Sequence, residues 1–550
     1  MSLLRRVARG AALAALLLLS ACAGSGGDPV ATPTATSTSA PTSTATVPST
    51  ATATASPTQI PPTASPTLTA SPTPPPTASA SASATATETA TASATPTATP
   101  PAGETGVVAP LGSAGRWFID AIGRVVLLHG VNMVSKSAPF YPAAFGFGAD
   151  DAAFLASEGF SAVRLGVDLR GLMPTPGIVE EEYIDHLAET VAVLREHGLF
   201  ILLDFHQDGF APKYNGNGFP DWLAIDDGLE NPPDAVFPLY YIQNPAMQRA
   251  FESFWADRAG PNGVGLQAYF MQALERVATR FAAEPLVLGV ELMNEPWPGA
   301  TYAPCVIEAA GCPDLEQTLL MPFYRRGAAV VQDRAPGQFT FIEPFVLFNF
   351  GMAATSIPGT DPGFAFSFHS YALDVAGEEG VLTNAVAAAT RDGAPMLLTE
   401  FGASTDPVPL LRLTAQFERA LIPWMYWTYD ESIIDDLSRP AGSDNLANPA
   451  SFAALVRPYP LAVTGTPTAI EFDPDNTVFT LGYDTAAPAG VAYNANAVSL
   501  VSVPRRHYPS GYTVEVEGAE VTSASGAPLL ALRNLAGAER VTVRVTLPER

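Results

Sequence analysis

The run Leu286-Val287-Leu288-Gly289-Val290-Glu291-Leu292-Met293-Asn294-Glu295-Pro296 puts an amide and a carboxylic acid at the end of an apolar segment. A short apolar run of this kind reads as a strand buried on both faces, and Pro296 is expected to stop it at the acid. Pro395-Met396-Leu397-Leu398-Thr399-Glu400-Phe401-Gly402 repeats the pattern. Two carboxyl groups at the tips of two buried strands are what glycoside hydrolysis needs: one protonates the leaving oxygen, and the other attacks the sugar or activates water. Asn132, Lys136, Arg164, His206, Asp208, His369, Tyr371 and Trp427 follow other apolar runs in the same way. Side chains alternate along a strand, so His206 shares a face with Asp208, and His369 with Tyr371.

Strands and helices must alternate to hold such residues together. Strand patterns fall at 125–132, 162–167, 199–205, 339–343, 364–369, 396–401 and 422–428, with the Asn294-Glu295 strand between the third and fourth of these. Helical patterns fall at 150–158, 181–197 and 245–281. The spacing predicts an α/β fold, a (β/α)8 TIM barrel, whose active site gathers at the C-terminal ends of the strands. A hairpin beginning at Arg116 is expected to run into the first barrel strand. After residue 461, short alternating segments at 468–472, 477–483, 498–503, 512–516 and 541–547 predict a C-terminal all-β sandwich. It could bind sugar or simply cap the barrel, and the structural role is the one expected.

The N-terminus is of another kind. Arg5, Arg6 and Arg9 precede an apolar run that ends in Leu19-Ser20-Ala21-Cys22. A basic flank, a short apolar core and small residues make a secretory signal, and the tetrapeptide resembles the bacterial lipobox, which implies lipidation of Cys22. Four segments are expected: 1–21 signal peptide, 22–104 disordered Pro/Thr/Ser/Ala-rich linker, 105–461 barrel, 462–550 sandwich. The linker carries almost no charged or aromatic residues and cannot bury a core. The expected location is the outer face of a bacterial cell membrane. In an exported chain, Cys305 and Cys312 suit a local disulfide. The histidines lack zinc-site spacing, and neither a metal nor a cofactor is expected. A formal net charge of −26 with only two lysines, Lys136 and Lys213, disfavours nucleic-acid partners. No obligate protein partner is implied.

Arg164 in Val-Arg-Leu, His206, Asn294-Glu295-Pro296, His369-Ser370-Tyr371, Glu400-Phe401-Gly402 and Trp427 together resemble the signature of glycoside hydrolase family 5, over about residues 115–460. Within it, Lys136-Ser137-Ala138-Pro139, His206-Gln207-Asp208 and Leu239-Tyr240-Tyr241-Ile242-Gln243 resemble the endoglycoceramidases and related glucosylceramide hydrolases, which cleave the β-glycosidic bond between a glycan and ceramide. The resemblance implies a retaining mechanism with Glu295 as general acid/base and Glu400 as nucleophile, kept ionised beside Arg164. It also implies that Lys136, His206, Asp208 and Asn294 hydrogen-bond the sugar, that Trp427 underlies its ring, and that His369 and Tyr371 support Glu400, Tyr371 also reaching the substrate. Glu295 is expected to hold its proton because of the neighbouring negative charge. Glu291 is expected to be structural, and Glu343 is the rival second acid. The apolar stretches 345–350 and 145–147 would accept a lipid tail if they lie exposed at the rim. Two other readings stand beside this one: a β-glucanase or β-glucosidase acting on polysaccharide or steryl glucoside, and a catalytically dead carbohydrate-binding lipoprotein.

Overall fold

Three short strands open the folded region: β1 (Gly112–Ala114), β2 (Trp117–Ile119) and β3 (Val125–Val126). The computed structural model describes residues 106–548, except 236, 309, 352, 358, 360–362 and 491. The expected leader, Cys22 and linker lie outside the described residues.

Eight parallel strands then close into a barrel: β4 (His129–Met133), β5 (Ala162–Val167), β6 (Phe200–Phe205), β7 (Val287–Glu291), β8 (Phe339–Ile342), β9 (Phe364–Ser370), β10 (Met396–Phe401) and β11 (Trp424–Tyr426). They neighbour one another in chain order, and β11 returns to β4. These are the eight strands the alternation predicts. Each reads as a run of buried residues because helices cover the barrel outside and side chains fill it inside. The expected helix over 245–281 is two helices, Pro245–Trp255 and Leu266–Phe281. Gly260, Pro261 and Gly263 lie in a turn between them, and the apolar period resumes on the far side, so the break is silent in the hydrophobic pattern.

The β-domain differs most from expectation. It has two antiparallel sheets, formed by β12 (Tyr459–Val463), β13 (Thr466–Asp473), β14 (Val478–Asp484), β15 (Ser499–Ser502), β16 (Thr513–Glu517), β17 (Ala519–Val521), β18 (Leu529–Asn534) and β19 (Arg540–Thr546). One sheet runs β13-β14-β19-β16. The other runs β1-β2-β3-β12-β15-β18-β17, so the N-terminal strands belong to the sandwich and not to the barrel. The expected strand at 125–132 is therefore two strands in two sheets, with Val125 opposite Val463 and Gly130 opposite Ala162. The expected boundary at 461/462 cuts through β12. The cause is strand pairing: β12 needs a partner on its open edge, and β3 supplies it. Val125 and Leu127 pack in one core with Tyr459, Phe479 and Val501.

Between sandwich and barrel lies a floor of apolar residues. Phe118 reaches from β2 to Phe339 and Phe341 of β8, with ring centroids 5.4 and 6.0 Å apart. Val126, Leu202, Leu288, Leu397 and Met425 complete this layer. His129 is stacked between Trp424 and Tyr459 and is structural, as its lack of a motif suggests. Cys305 and Cys312 form the expected disulfide.

Candidate active site

Arg164 is the hub of the site. It points inward from β5, fully buried. Its Nε lies 2.6 Å from Glu291, and Nη2 lies 3.1 Å from Asp204 and 3.6 Å from Glu343. Nη1 donates to Glu400 Oε1 at 2.5 Å and to Asn132 at 3.0 Å, while Nη2 also donates to Asn294 Oδ1 at 2.8 Å. A planar, permanently charged donor fork is the group that can tie so many acceptors at once. Its part is support, and Glu291, paired with it below the site, is structural as expected.

Glu400 stands in β10, where pairing with β9 shifts by one residue between Leu398 and Glu400. Such a bulge re-aims a side chain out of the ladder. Its Oε2 accepts the Tyr371 hydroxyl at 2.8 Å.

Glu295 is placed differently. Strand β7 ends at Glu291, so the strand stops well before Pro296, and Glu295 sits on the loop beyond with a φ of +44°. This left-handed conformation is costly for a residue with a Cβ, and the loop is heavily braced. Gln207 Nε2 donates to the carbonyls of Asn294 (2.7 Å) and Glu295 (3.0 Å), and the Glu295 N–H donates to Glu343 (3.0 Å). The carboxyl meets Asn349 Nδ2 at 3.0 Å and His369 Nδ1 at 2.9 Å. Burial first, then the charge of Glu400, pushes its proton affinity up, against the pull of His369. The expected cause, a neighbouring negative charge, thus contributes less than desolvation.

His369 also departs from expectation. Its Nδ1 is 2.9 Å from Glu295 but 3.6 Å from Glu400, and its Nε2 is 3.1 Å from Glu343. It supports the acid more than the nucleophile. Although burial opposes it, the surrounding carboxylates raise its pKa well above the usual imidazole value.

The remaining predicted residues form a second cluster. Lys136 Nζ lies 2.7 Å from Asp208, and His206 lies 2.7 Å from Asp204 and 3.3 Å from Asp208. Trp427 stacks on His206 at 5.2 Å, with the Lys136 ammonium 4.4 Å from its ring centre. Burial works against charge on Asp208, yet Lys136 and His206 hold its carboxyl well below the ordinary range.

A cleft of about 680 Å3 unites the two clusters. Lys136, Asp208, Glu295, Tyr371, Glu400 and Trp427 line it. His206 and Asn294, expected against the sugar, are buried behind that lining, with Asn294 bonded to Arg164 and to the Gln207 carbonyl. Of the apolar stretches, Phe145, Val346, Leu347 and Phe350 line the cleft, while Phe147, Phe345 and Phe348 are packed inside. Asp204, Gln207, Glu343 and Asn349 carry supporting roles that the sequence reading did not assign. Asn349 had one signal, a lone amide within an apolar run.

Carboxylate oxygens of Glu295 and Glu400 come within 4.8 Å of each other, with a His369 nitrogen in the same group. That separation suits direct attack with inversion twice over, because a water-inserting inverting pair stands about 6.5–9.5 Å apart. The three donor sets are close enough to hold a cation, but Arg164 and the His369 imidazolium already supply positive charge there.

The pattern described as Cellulase (glycosyl hydrolase family 5) matches residues 120–432, and that of the glycoside hydrolase family 5 C-terminal domain matches residues 457–546. Endoglycoceramidase I of Rhodococcus hoagii (strain 103S) is 32% identical over 467 residues, covering 80% of this chain and 89% of that protein. An endoglycoceramidase of Hydra vulgaris is 28% identical over 435 residues, covering 72% and 81%. Endo-glycoceramidase II from Rhodococcus sp., solved in complex with ganglioside GM3, superposes with a TM-score of 0.63 at 25% identity, covering 79% of this chain and 99% of that one. With the paired glutamates, the closed barrel and the trailing β-domain in place, the chain belongs to glycoside hydrolase family 5 and is an O-glycosyl hydrolase.

Proposed function

We propose that this enzyme hydrolyses the β-glycosidic bond joining a glycan to ceramide, through a covalent glycosyl-enzyme intermediate. The observation that carries the reading is the mixed lining of the cleft. Lys136, Asp208, Asn217 and Trp427 make one part polar, able to hold hydroxyl groups and a sugar face. Phe145, Phe237, Val346, Leu347, Phe350 and Leu437 add apolar lining, and Phe145 and Phe237 are among the exposed large hydrophobic residues. A substrate with a polar head and a greasy tail matches both. Similarity to endoglycoceramidases over most of the chain supports the same substrate class.

In the first step the Glu400 carboxylate attacks the anomeric carbon while Glu295 gives its proton to the departing ceramide oxygen. In the second, Glu295 as carboxylate takes a proton from water, which attacks the same carbon and frees Glu400. Arg164 and Tyr371 fix the nucleophile through one oxygen each.

Incubation of the enzyme with glucosylceramide, lactosylceramide, a longer ganglioside and carboxymethylcellulose in mild detergent tests this, with Glu400→Gln as control. Release of intact oligosaccharide and ceramide is expected, and the control should lose at least about 10³-fold in rate. Cleavage of the polymer alone would overturn the lipid reading. The leader sequence and Cys22 support attachment to the outer face of a bacterial membrane. Expressed in a bacterium fed labelled palmitate, the wild type should take up label and fractionate with membranes, and Cys22→Ala should do neither; equal behaviour of the two removes the anchor.

A further inference from the structure

Glu343 is a buried acid in the site that neither step uses. It directly follows β8, is 1% exposed, and does not line the cleft. Its Oε2 accepts the backbone N–H of Glu295 at 3.0 Å. Its Oε1 stands 3.1 Å from His369 Nε2 and 3.6 Å from Arg164 Nη2. The other nitrogen of the same imidazole is 2.9 Å from the Glu295 carboxyl. One carboxyl group therefore reaches the acid/base residue by two routes: directly to its peptide, and through a ring to its side chain.

We infer that Glu343 is the positioning residue for the general acid, holding the Glu295 peptide in its left-handed conformation and holding His369 as a donor to the Glu295 carboxyl. The peptide contact matters because φ of +44° is a conformation an L-residue leaves unless something retains it. The ring contact matters because a carboxyl group 3.1 Å from Nε2 holds the imidazole with Nδ1 turned to its other partner. When Glu295 gives up its proton to the leaving oxygen, the carboxylate that results faces the Nδ1 donor. The proton given to the leaving oxygen departs with the aglycone, and in the second step water supplies its replacement to the same oxygen pair, so no further reactant is needed.

The groups around Glu343 agree with this role. Arg164 from β5, Glu291 from β7 and His369 from β9 face its carboxyl, and the Tyr324 hydroxyl donates to its carbonyl at 2.6 Å. Burial first, with the Glu291 charge, outweighs the pull of His369 and Arg164 and raises its pKa to about 8. Glu343 reaches Glu400 only across His369 and Arg164, so the nucleophile should be little affected.

This role rests on the retaining chemistry of the family and not on the identity of the aglycone. It is tested with aryl β-lactosides whose leaving groups range from 2,4-dinitrophenol to phenol. Dinitrophenolate departs without protonation, whereas phenolate needs the acid. Glu343→Gln should lower kcat/KM for the phenyl lactoside on the order of 10- to 100-fold, the size of a misplaced general acid. It should leave the dinitrophenyl lactoside within about threefold, a change of well under 1 kcal/mol. Azide should accelerate turnover of the dinitrophenyl substrate in the variant and give β-lactosyl azide, because a small anion needs no general base. Rates are normalised to the sites trapped by 2,4-dinitrophenyl 2-deoxy-2-fluoro-β-lactoside, so poor folding lowers the number of sites and not the ratio between leaving groups. Glu343→Ala should show the same pattern. Equal losses on both leaving groups, with no azide product, would make Glu343 a structural acid only. Failure on ceramide substrates with success on aryl lactosides would overturn the substrate reading and leave this one standing.

Discussion

His206 shows how much a single residue in this site depends on its neighbours. Burial disfavours its charge, but Asp204 and Asp208 prevail and hold its pKa up at about 9. Raising an imidazole from its usual 6.5 to that value corresponds to on the order of 3 kcal/mol of stability. The folded state binds the proton more tightly than the unfolded chain. The contribution is therefore complete below pH 6.5 and is lost as pH rises through about 9. Thermal unfolding followed between pH 6.5 and 9.5 should show falling stability, and His206→Gln should show a shallower fall from a lower start. An unchanged slope would mean that other groups carry the effect. At this scale the sequence reading named the two glutamates and, of the other lining residues, Lys136, Asp208, Tyr371 and Trp427, because each follows a recognisable apolar run. It could not say that His369 serves Glu295 before Glu400, since the loop beyond β7 turns Glu295 toward it. The bracing by Gln207 and Glu343 was hidden for the same reason: both act on a peptide, and a peptide has no signature.

Among the elements, β2 has the largest effect for its length. It is three residues long, yet Phe118 fills the barrel floor against Phe339 and Phe341. Truncating a fully buried Phe leaves a cavity and costs about 3–5 kcal/mol. Phe118→Ala should lower the unfolding midpoint accordingly while kcat per folded enzyme stays near wild type, because the cleft is at the other end of the strands. A stable Phe118→Ala enzyme would show that the floor closes without it. All eight barrel strands were legible, being apolar runs bounded by helices. The β-domain was legible in kind but not in extent. Strand β17 has only three residues, β18 opens on Leu-Leu-Ala-Leu with no polar alternation, and β12 follows a Pro, so none stands out as a strand. The membership of β1 to β3 was out of reach, because a hairpin's alternation tells which face is buried and not which sheet buries it.

On the scale of the molecule, barrel and sandwich are one construction. Arg457 joins Glu418 of the barrel and the Phe472 carbonyl of the sandwich. Arg506 reaches back to Glu158 at 2.5–2.8 Å. Removal of residues 457–550 would uncover the edge of β3 and the apolar layer of Val125, Leu127 and Leu421. The shortened enzyme should aggregate and lack near-ultraviolet circular dichroism, although no residue of the cleft has been removed. A soluble, active truncation would show that the two parts stand alone. The shared sheet also sets an order of events for a chain made from its N-terminus onward. Val125 finds its partner Val463 only after the whole barrel sequence has been synthesised. Until then the edge of β3 that β12 covers stays unpaired. Pairings so distant along the chain are slow to form and leave unpaired edges exposed meanwhile. The final act of folding would therefore be the docking of the last strands onto the first.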